Sequence, residues 1–192
     1  MSTNKDKLLL HICCGPCGVY PTKYFIENEI IYDGYFYNPN IHPQSEFDKR
    51  RDNALKLSEI RNFNLIVDSH YQEADWIEYE DIPTRCQKCY TIRFEKAFEY
   101  AKDNNYKEVS TTLLVSPYQQ HELIKKIANS FSKKYGVPFR YIDFRPGFRA
   151  GQQEAKELGL YRQKYCGCLS SLEDKLTFDI EKELKKGAIL DD

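Results

Sequence analysis

Short apolar runs alternate along the chain with longer stretches of helical period, which is the pattern of a sheet whose strands are joined by helices. Leu8-Leu9-Leu10 is a compact apolar run that ends in His11-Ile12-Cys13-Cys14-Gly15-Pro16-Cys17-Gly18, the form of a buried strand entering a turn and then a helix. Val19 to Ile30 fits that helix, with Val19, Phe25, Ile26 and Ile30 available for packing, and Ile31 to Tyr37 alternates well enough for a second strand. Asn38-Pro39-Asn40-Ile41-His42-Pro43 reads as a loop at the carboxyl end of that strand. Ser45 to Arg61 follows as a charged helix capped by Ser45 and burying Phe47, Ala54, Leu55 and Ile60.

The second half repeats the alternation. Asn64 to Val67 is a short strand, Asp68 to Arg85 an acidic segment holding the sole tryptophan, and Cys86 to about Asp103 a helix facing inward through Ile92, Phe94, Ala97, Phe98 and Ala101. Glu108 to Val115 reads as a β-branched strand, and Ser116-Pro117 predicts a helix that runs to Lys134 and stops at Gly136. Phe139 to Phe144 is the last predicted strand, followed by helices over Gln152 to Leu158 and Ser170 to Lys186. The expectation is therefore one α/β domain over residues 1–192, closing in a helical segment from about residue 170. Its core is a mostly parallel open sheet with helices on both faces, a nucleotide-hydrolase or PP-loop type of sheet with the phosphate loop replaced by cysteines.

Charge changes that picture little. The net charge of −1 gives no global attraction to nucleic acid, so RNA contact would rest on local patches: Asp48-Lys49-Arg50-Arg51, Lys133-Lys134, Arg145 to Arg149 and Arg162-Gln163-Lys164. The polar stretch before Leu8 lacks the apolar core of a secretory signal, and no run approaches a membrane span, which points to the cytoplasm and no membrane partner.

Cysteine changes the picture most. Seven cysteines in a reducing compartment point to metal or redox chemistry, since an odd number cannot all pair within one chain. They fall into three groups, Cys13/Cys14/Cys17, Cys86/Cys89 and Cys166/Cys168, each beside a predicted turn or helix start. On a parallel sheet those positions share one edge, where helix N-termini favour the thiolate form. Four thiolates can hold a structural zinc or a 4Fe–4S cluster, and a single zinc would leave three cysteines without a task. A disulfide between Cys166 and Cys168 would close a small strained ring that is easily reduced, which suits two-electron exchange; the alternative is that both are further metal ligands. No G-x-G-x-x-G is present, and bulky thiols occupy the place of a phosphate loop after the first strand.

These stretches, together with Phe36-Tyr37-Asn38-Pro39-Asn40-Ile41-His42-Pro43, Arg85-Cys86-Gln87-Lys88-Cys89-Tyr90, Thr111 to Pro117 and Tyr161-Arg162-Gln163-Lys164-Tyr165-Cys166-Gly167-Cys168, resemble the QueH type of epoxyqueuosine reductase, the cobalamin-independent enzyme of tRNA queuosine biosynthesis. The resemblance covers nearly the whole chain. It implies an oxidoreductase that removes the epoxide oxygen of epoxyqueuosine at the tRNA wobble position, with an external electron donor. It also implies that Cys13, Cys14, Cys86 and Cys89 hold a 4Fe–4S cluster and that Cys166 and Cys168 form a redox-active pair. Cys17 is left as a ligand in place of Cys14, or as a ligand of a second, mononuclear iron together with an acid such as Asp81. Proton donors under this reading are His42, an acid of Asp75 to Asp81, or a tyrosine; Tyr37, Tyr90 and Tyr161 are candidates to stack on the base, and Arg85 and Arg162 to meet phosphate. Two alternatives stand beside it: a cluster-bearing tRNA-thiolating enzyme, which would need the missing phosphate loop, and a zinc-stabilised RNA-binding module without catalysis.

Overall fold

The run Leu8-Leu9-Leu10 forms most of β1 (Leu8–His11), an inner strand of a four-stranded parallel sheet ordered β3-β2-β1-β4, with Tyr32–Phe36 as β2, Leu65–Val67 as β3 and Glu108–Thr111 as β4. This computed structural model describes residues 4–71, 76 and 82–188. Leu8 stands opposite Tyr32 and Glu108, and His11 opposite Tyr35 and Thr111. Every residue of β1, β2 and β4 is buried, which is why β1 reads as an unbroken apolar run: both faces of an inner parallel strand are covered.

Helices α1 (Gly15–Glu27), α2 (Gln44–Arg61) and α5 (Phe148–Glu157) pack together, while α3 (Ile82–Asp103) packs on α4 (His121–Tyr135) and on β1 and β4. With the right-handed crossovers that parallel strands adopt, the strand order places these two groups on opposite faces, and α6 (Leu169–Ala188) follows them. The α/β architecture with a parallel sheet is thus as the sequence predicts. Because β4 joins the sheet beside β1 rather than beyond β3, the order of strands reverses between them. The carboxyl ends of β1 and β4 then form the crevice where open α/β sheets bind their ligands.

Several boundaries differ from expectation. Helix α1 opens at Gly15, four residues before the predicted Val19, with proline in its first turn, where the missing N–H costs nothing. Helix α2 starts after Pro43 without a side-chain cap from Ser45, and Leu55 and Ile60, predicted to be inward, are 37% and 41% exposed. Its inner face holds Glu46 and Arg50 instead, a buried ion pair that an apolar-periodicity argument assigns to solvent. Strand β4 ends at Thr111 rather than Val115, because the Thr111 hydroxyl accepts the Leu113 N–H at 3.1 Å and turns the chain into a 3-10 helix over Thr112–Val115. The Ser116 hydroxyl likewise accepts from the Tyr118 N–H at 3.3 Å, so Ser116-Pro117 makes a turn and α4 waits until His121. The predicted strand Phe139 to Phe144 contributes a single bridge, Phe139 to Val109, before Asp143 accepts the Arg145 N–H and Pro146 enters a tight turn. Among the described residues no helix is long and apolar enough to cross a membrane.

Candidate functional site

Cys13 lies two residues past the end of β1 and Cys14 is the N-cap of α1, so strand and helix together fix the first sulfurs. Gly15 permits that turn, since a Cβ there would stand 2.6 Å from the Asn53 carbonyl oxygen of α2. The sulfurs of Cys13, Cys14 and Cys17 lie within 4.8 Å of one another, all buried, with Cys13 and Cys14 Sγ 3.9 Å apart. Around them, the Thr112 hydroxyl donates to Cys13 Sγ at 3.3 Å and accepts the Cys13 N–H at 3.1 Å. The Gln163 amide donates to Cys14 Sγ at 3.0 Å and Cys17 Sγ at 3.5 Å.

The three thiols do not ionise alike. Hydrogen bonds from Cys14 and Cys17 pull the Cys13 thiol well below its ordinary range, aided by the Arg93 guanidinium and Thr112. Burial pushes Cys14 up, and hydrogen bonding to Cys13 pushes Cys17 up, so Cys13 is the first of the three to ionise. The uncapped N-terminus of α1 favours that charge. Three convergent sulfurs, one of them readily ionised, are a donor set suited to a soft metal centre.

Cys86 and Cys89 occupy one face of α3 at a spacing of three residues, and Arg93, one turn beyond, donates to Cys89 Sγ at 3.5 Å and to the Asn38 side-chain oxygen at 2.8 Å. Asn38 in turn donates to the Ile12 carbonyl at 2.9 Å, tying α3 to the cysteine turn. Burial pushes Cys89 up to about 12 and raises Cys86 as well, the charge of Cys166 adding to both. Burial works against the Arg93 cation, yet its interactions with Cys89 and Cys13 raise it overall. Arg93 is thus a buried cation shared by two of the three cysteine groups.

The third group sits on a loop. Cys166 is exposed, Cys168 is buried, and the Cys168 thiol donates to the Ser171 hydroxyl at 3.3 Å. What holds this loop is Arg50: its guanidinium donates to the Cys166 carbonyl at 2.8 Å and the Tyr165 carbonyl at 3.0 Å, while Nε pairs with Glu46 at 2.8 Å. Tyr161 also donates to Glu46, at 2.7 Å. Gly167 adopts φ +130°, a region that side chains avoid, and lies against both Arg50 and Ile41. On the other side the His42 N–H donates to the Gly167 carbonyl at 2.8 Å, and the Tyr165 hydroxyl donates to the His42 carbonyl.

A cavity of about 350 Å³ opens at the β1/β4 crevice, and Cys13, Cys17 and Cys166 all line it, with Arg50, Arg93 and Gln163. Cys14 lies just behind through its contact with Cys13, while Cys86, Cys89 and Cys168 are not in the lining. Of the other candidates, His42 is fully buried with Nδ1 3.2 Å from the Tyr71 hydroxyl, and its backbone holds the Cys166–Cys168 loop. Tyr37 stacks on Tyr35, Tyr90 donates to Gln119 at 2.7 Å and Tyr161 to Glu46, so these three rings are engaged in packing and lie outside the cavity lining. Arg85 is buried and paired with Asp174 at 3.7 Å, whereas Arg162 is exposed. Asp75 and the acids up to Asp81 lie outside the described residues. Sequence reasoning missed Arg93, Thr112 and Gln119 and read Arg50 and Gln163 as surface. An arginine four residues after a cysteine on a predicted helix was the available signal for the first.

The family model for epoxyqueuosine reductase QueH matches residues 8–174 of this chain. The epoxyqueuosine reductase QueH of Dehalococcoides mccartyi is 37% identical over 167 residues, covering 86% of this chain and 92% of its own. That of Thermotoga maritima is 33% identical over 191 residues, covering 94% and 97%. Among solved structures, a deacetylase from the biosynthesis pathway of teicoplanin superposes with a TM-score of 0.50 at 10% identity, over 79% of this chain and 83% of that one, a likeness of fold alone. With a sulfur-lined cavity at the sheet's switch point and relatives matched almost end to end, this chain belongs to the QueH family of epoxyqueuosine reductases.

Proposed function

We propose that this chain reduces epoxyqueuosine to queuosine in tRNA, in the cytoplasm, using an iron–sulfur centre and the Cys166/Cys168 pair. The observation that carries this reading is the convergence of Cys13, Cys17 and Cys166 on one cavity from opposite ends of the chain. Opening the epoxide to an alkene releases its oxygen as water and consumes two electrons and two protons. Oxidation of the Cys166/Cys168 dithiol to a disulfide yields two electrons and two protons, and an external reductant then restores the dithiol. Cys166, exposed and on the cavity wall, is the sulfur a reductant can reach; Cys168, buried beside Ser171, is its resolving partner.

Cys13, Cys14 and Cys17 fit a metal centre, and the reading assigns Cys13 and Cys14, joined by Cys86 and Cys89 of α3, to a 4Fe–4S cluster, with Cys17 left for that cluster or for a second, mononuclear iron. Such a cluster supplies single-electron transfer when bound. The chain's own residues do the rest. Arg93 balances thiolate charge on two cysteine groups, Gln163 and Thr112 orient the sulfurs with hydrogen bonds, and Arg50 keeps the dithiol loop against the cavity.

Anaerobic purification with iron, sulfide and zinc analysis, followed by an assay on tRNA bearing epoxyqueuosine, tests the reading. Iron and sulfide in the protein together with conversion to queuosine is the expected result. Colourless protein with one zinc, no iron and no conversion sinks it in favour of a zinc-stabilised RNA-binding module. Cys166→Ser and Cys168→Ser, made separately, should each retain iron and lose multiple turnover; undiminished turnover in both removes the dithiol from the mechanism.

A further inference from the structure

We propose that Tyr118, braced by Phe148, is a stacking platform for a nucleobase flanking the modified nucleoside in the anticodon loop, an inference that rests on the substrate reading above. Tyr118 is 85% exposed, the most exposed large hydrophobic side chain among the described residues, and yet it lines the cavity of the cysteines. A ring left in water contributes nothing to the core, so packing does not account for it.

Its mounting is not that of a loose loop. The Tyr118 N–H donates to the Ser116 hydroxyl at 3.3 Å and the Gln119 N–H to the Ser116 carbonyl at 3.3 Å. The Gln119 side chain is held by the Tyr90 hydroxyl at 2.7 Å and reaches Cys166 Sγ at 3.7 Å. Position of the ring is therefore tied to position of the reacting sulfur. Phe148 meets Tyr118 edge-on, with centroids 6.0 Å apart and planes at 84°, a brace that leaves most of the tyrosine ring open.

An exposed ring on the rim cannot enclose the base that enters the cavity, which is why a neighbour of the modified nucleoside is the occupant. Proteins read single-stranded RNA loops by stacking splayed bases on aromatic rings while cations track the backbone. The cations are in place: Lys164 is exposed on the cavity wall, and Arg149 is exposed next to Phe148. With a net charge of −1, attraction to phosphate must be local, and here it coincides with the aromatic rim.

The test is a cycle between protein and RNA. Binding of a fluorescent anticodon stem–loop carrying epoxyqueuosine is measured for the parent protein, Tyr118→Ala, Tyr118→Phe and Tyr118→Trp, with intact RNA and with RNA made abasic on either side of the modified nucleoside. Tyr118→Ala should raise the Kd about tenfold, equal to about 1.4 kcal/mol, and raise KM for tRNA with kcat nearly unchanged. The Phe and Trp variants should bind like the parent, and one abasic flank should erase the Ala penalty. Equal binding by parent and Ala variant, a penalty that persists with both abasic RNAs, or a change in self-association of the protein alone would each overturn the platform. If the parent protein neither binds nor converts the tRNA, substrate reading and platform fall together; conversion that is insensitive to Tyr118 removes the platform only.

Discussion

Cys13, Cys14 and Cys17 sit where an inner strand hands over to a helix, held by the sheet register and the close approach of α2, whereas Cys166 and Cys168 sit on a loop held by side chains grasping its backbone. The first group is buried, with Cys13 the most readily ionised of its thiols; the second pairs an exposed sulfur with a buried one. Regular structure gives fixed sulfur positions and excludes water, which is what a metal centre needs. A loop clasped by hydrogen bonds keeps its place while leaving one sulfur open to solvent, which is what exchange with an external reductant needs. Under the proposed function, the difference between the two regions is a division between holding and exchanging.

The largest effect should come from the holding region. Cys13→Ser removes the most readily ionised of the three sulfurs, which also faces the cavity, so iron should fall to background and tRNA conversion with it. Cys86→Ser, on α3 and outside the cavity lining, should also lower iron. Iron analysis of anaerobically prepared protein, with circular dichroism to verify folding, decides both. Full iron in Cys13→Ser would erase the proposed division of labour.

Much of this was legible in the sequence, and the reasons for the gaps are physical. The strand Leu8-Leu9-Leu10 and the crevice after it follow from an apolar run meeting a turn, and the three cysteine groups announce themselves by spacing. Arg50 does not, because a cation in a run of charges on a hydrophilic helix looks like any solvated face. Only the fold shows that Glu46, two loop carbonyls and the Tyr165 ring surround it. Thr111 and Ser116 were misread for a related reason. Their hydroxyls bond to backbone N–H groups two residues on, and such local bonds override the β-branched or helix-start preference of the stretch. Tyr118 was hidden among 15 tyrosines, since sequence cannot tell a packed ring from an exposed one.

Breaking the exchanging region comes next in size. Arg50→Ala strips the charge partner from buried Glu46, leaving it the Tyr161 hydroxyl, and frees two loop carbonyls; leaving one member of a buried ion pair uncompensated costs about 3–5 kcal/mol. Urea unfolding of the reduced protein measures that loss. Arg50→Lys keeps the charge but lacks the planar fork that spans both carbonyls, so it should recover part of the stability while multiple turnover stays low. Equal turnover in Arg50→Lys and the parent would show that the clasp serves stability alone.

A smaller effect separates the two regions by reactivity. Thr112→Val keeps the side-chain shape but removes the donor to Cys13 Sγ and leaves the buried Cys13 N–H without this acceptor, at a cost of about 1–3 kcal/mol. In metal-free protein, site-resolved alkylation should show the Cys13 thiolate forming at higher pH in this variant, with Cys166 unaffected. Thr112→Ser should restore the parent profile. A parallel shift at Cys166 would mean that the two regions respond as one.

The effect that is smallest near neutral pH belongs to His11, the last residue of β1, fully buried beneath the sulfur turn. Its ring lies 2.9 Å from the Thr111 hydroxyl and 3.3 Å from the Tyr37 carbonyl, which suits a neutral imidazole donating from Nε2 and accepting at Nδ1. Burial, reinforced by the Arg93 charge, lowers it from 6.5 to about 3. The unfolded chain therefore takes up a proton below pH 6.5 that the folded chain refuses until about pH 3, so this contribution is complete above 6.5 and drains away as pH falls. In metal-free protein the slope should reach about 1.4 kcal/mol per pH unit between these limits. His11→Asn lowers stability at all pH values by loss of packing, but its urea midpoint should depend less on acid over that interval. An unchanged slope would place the acid sensitivity in other groups and leave the foundation of the holding region indifferent to protons.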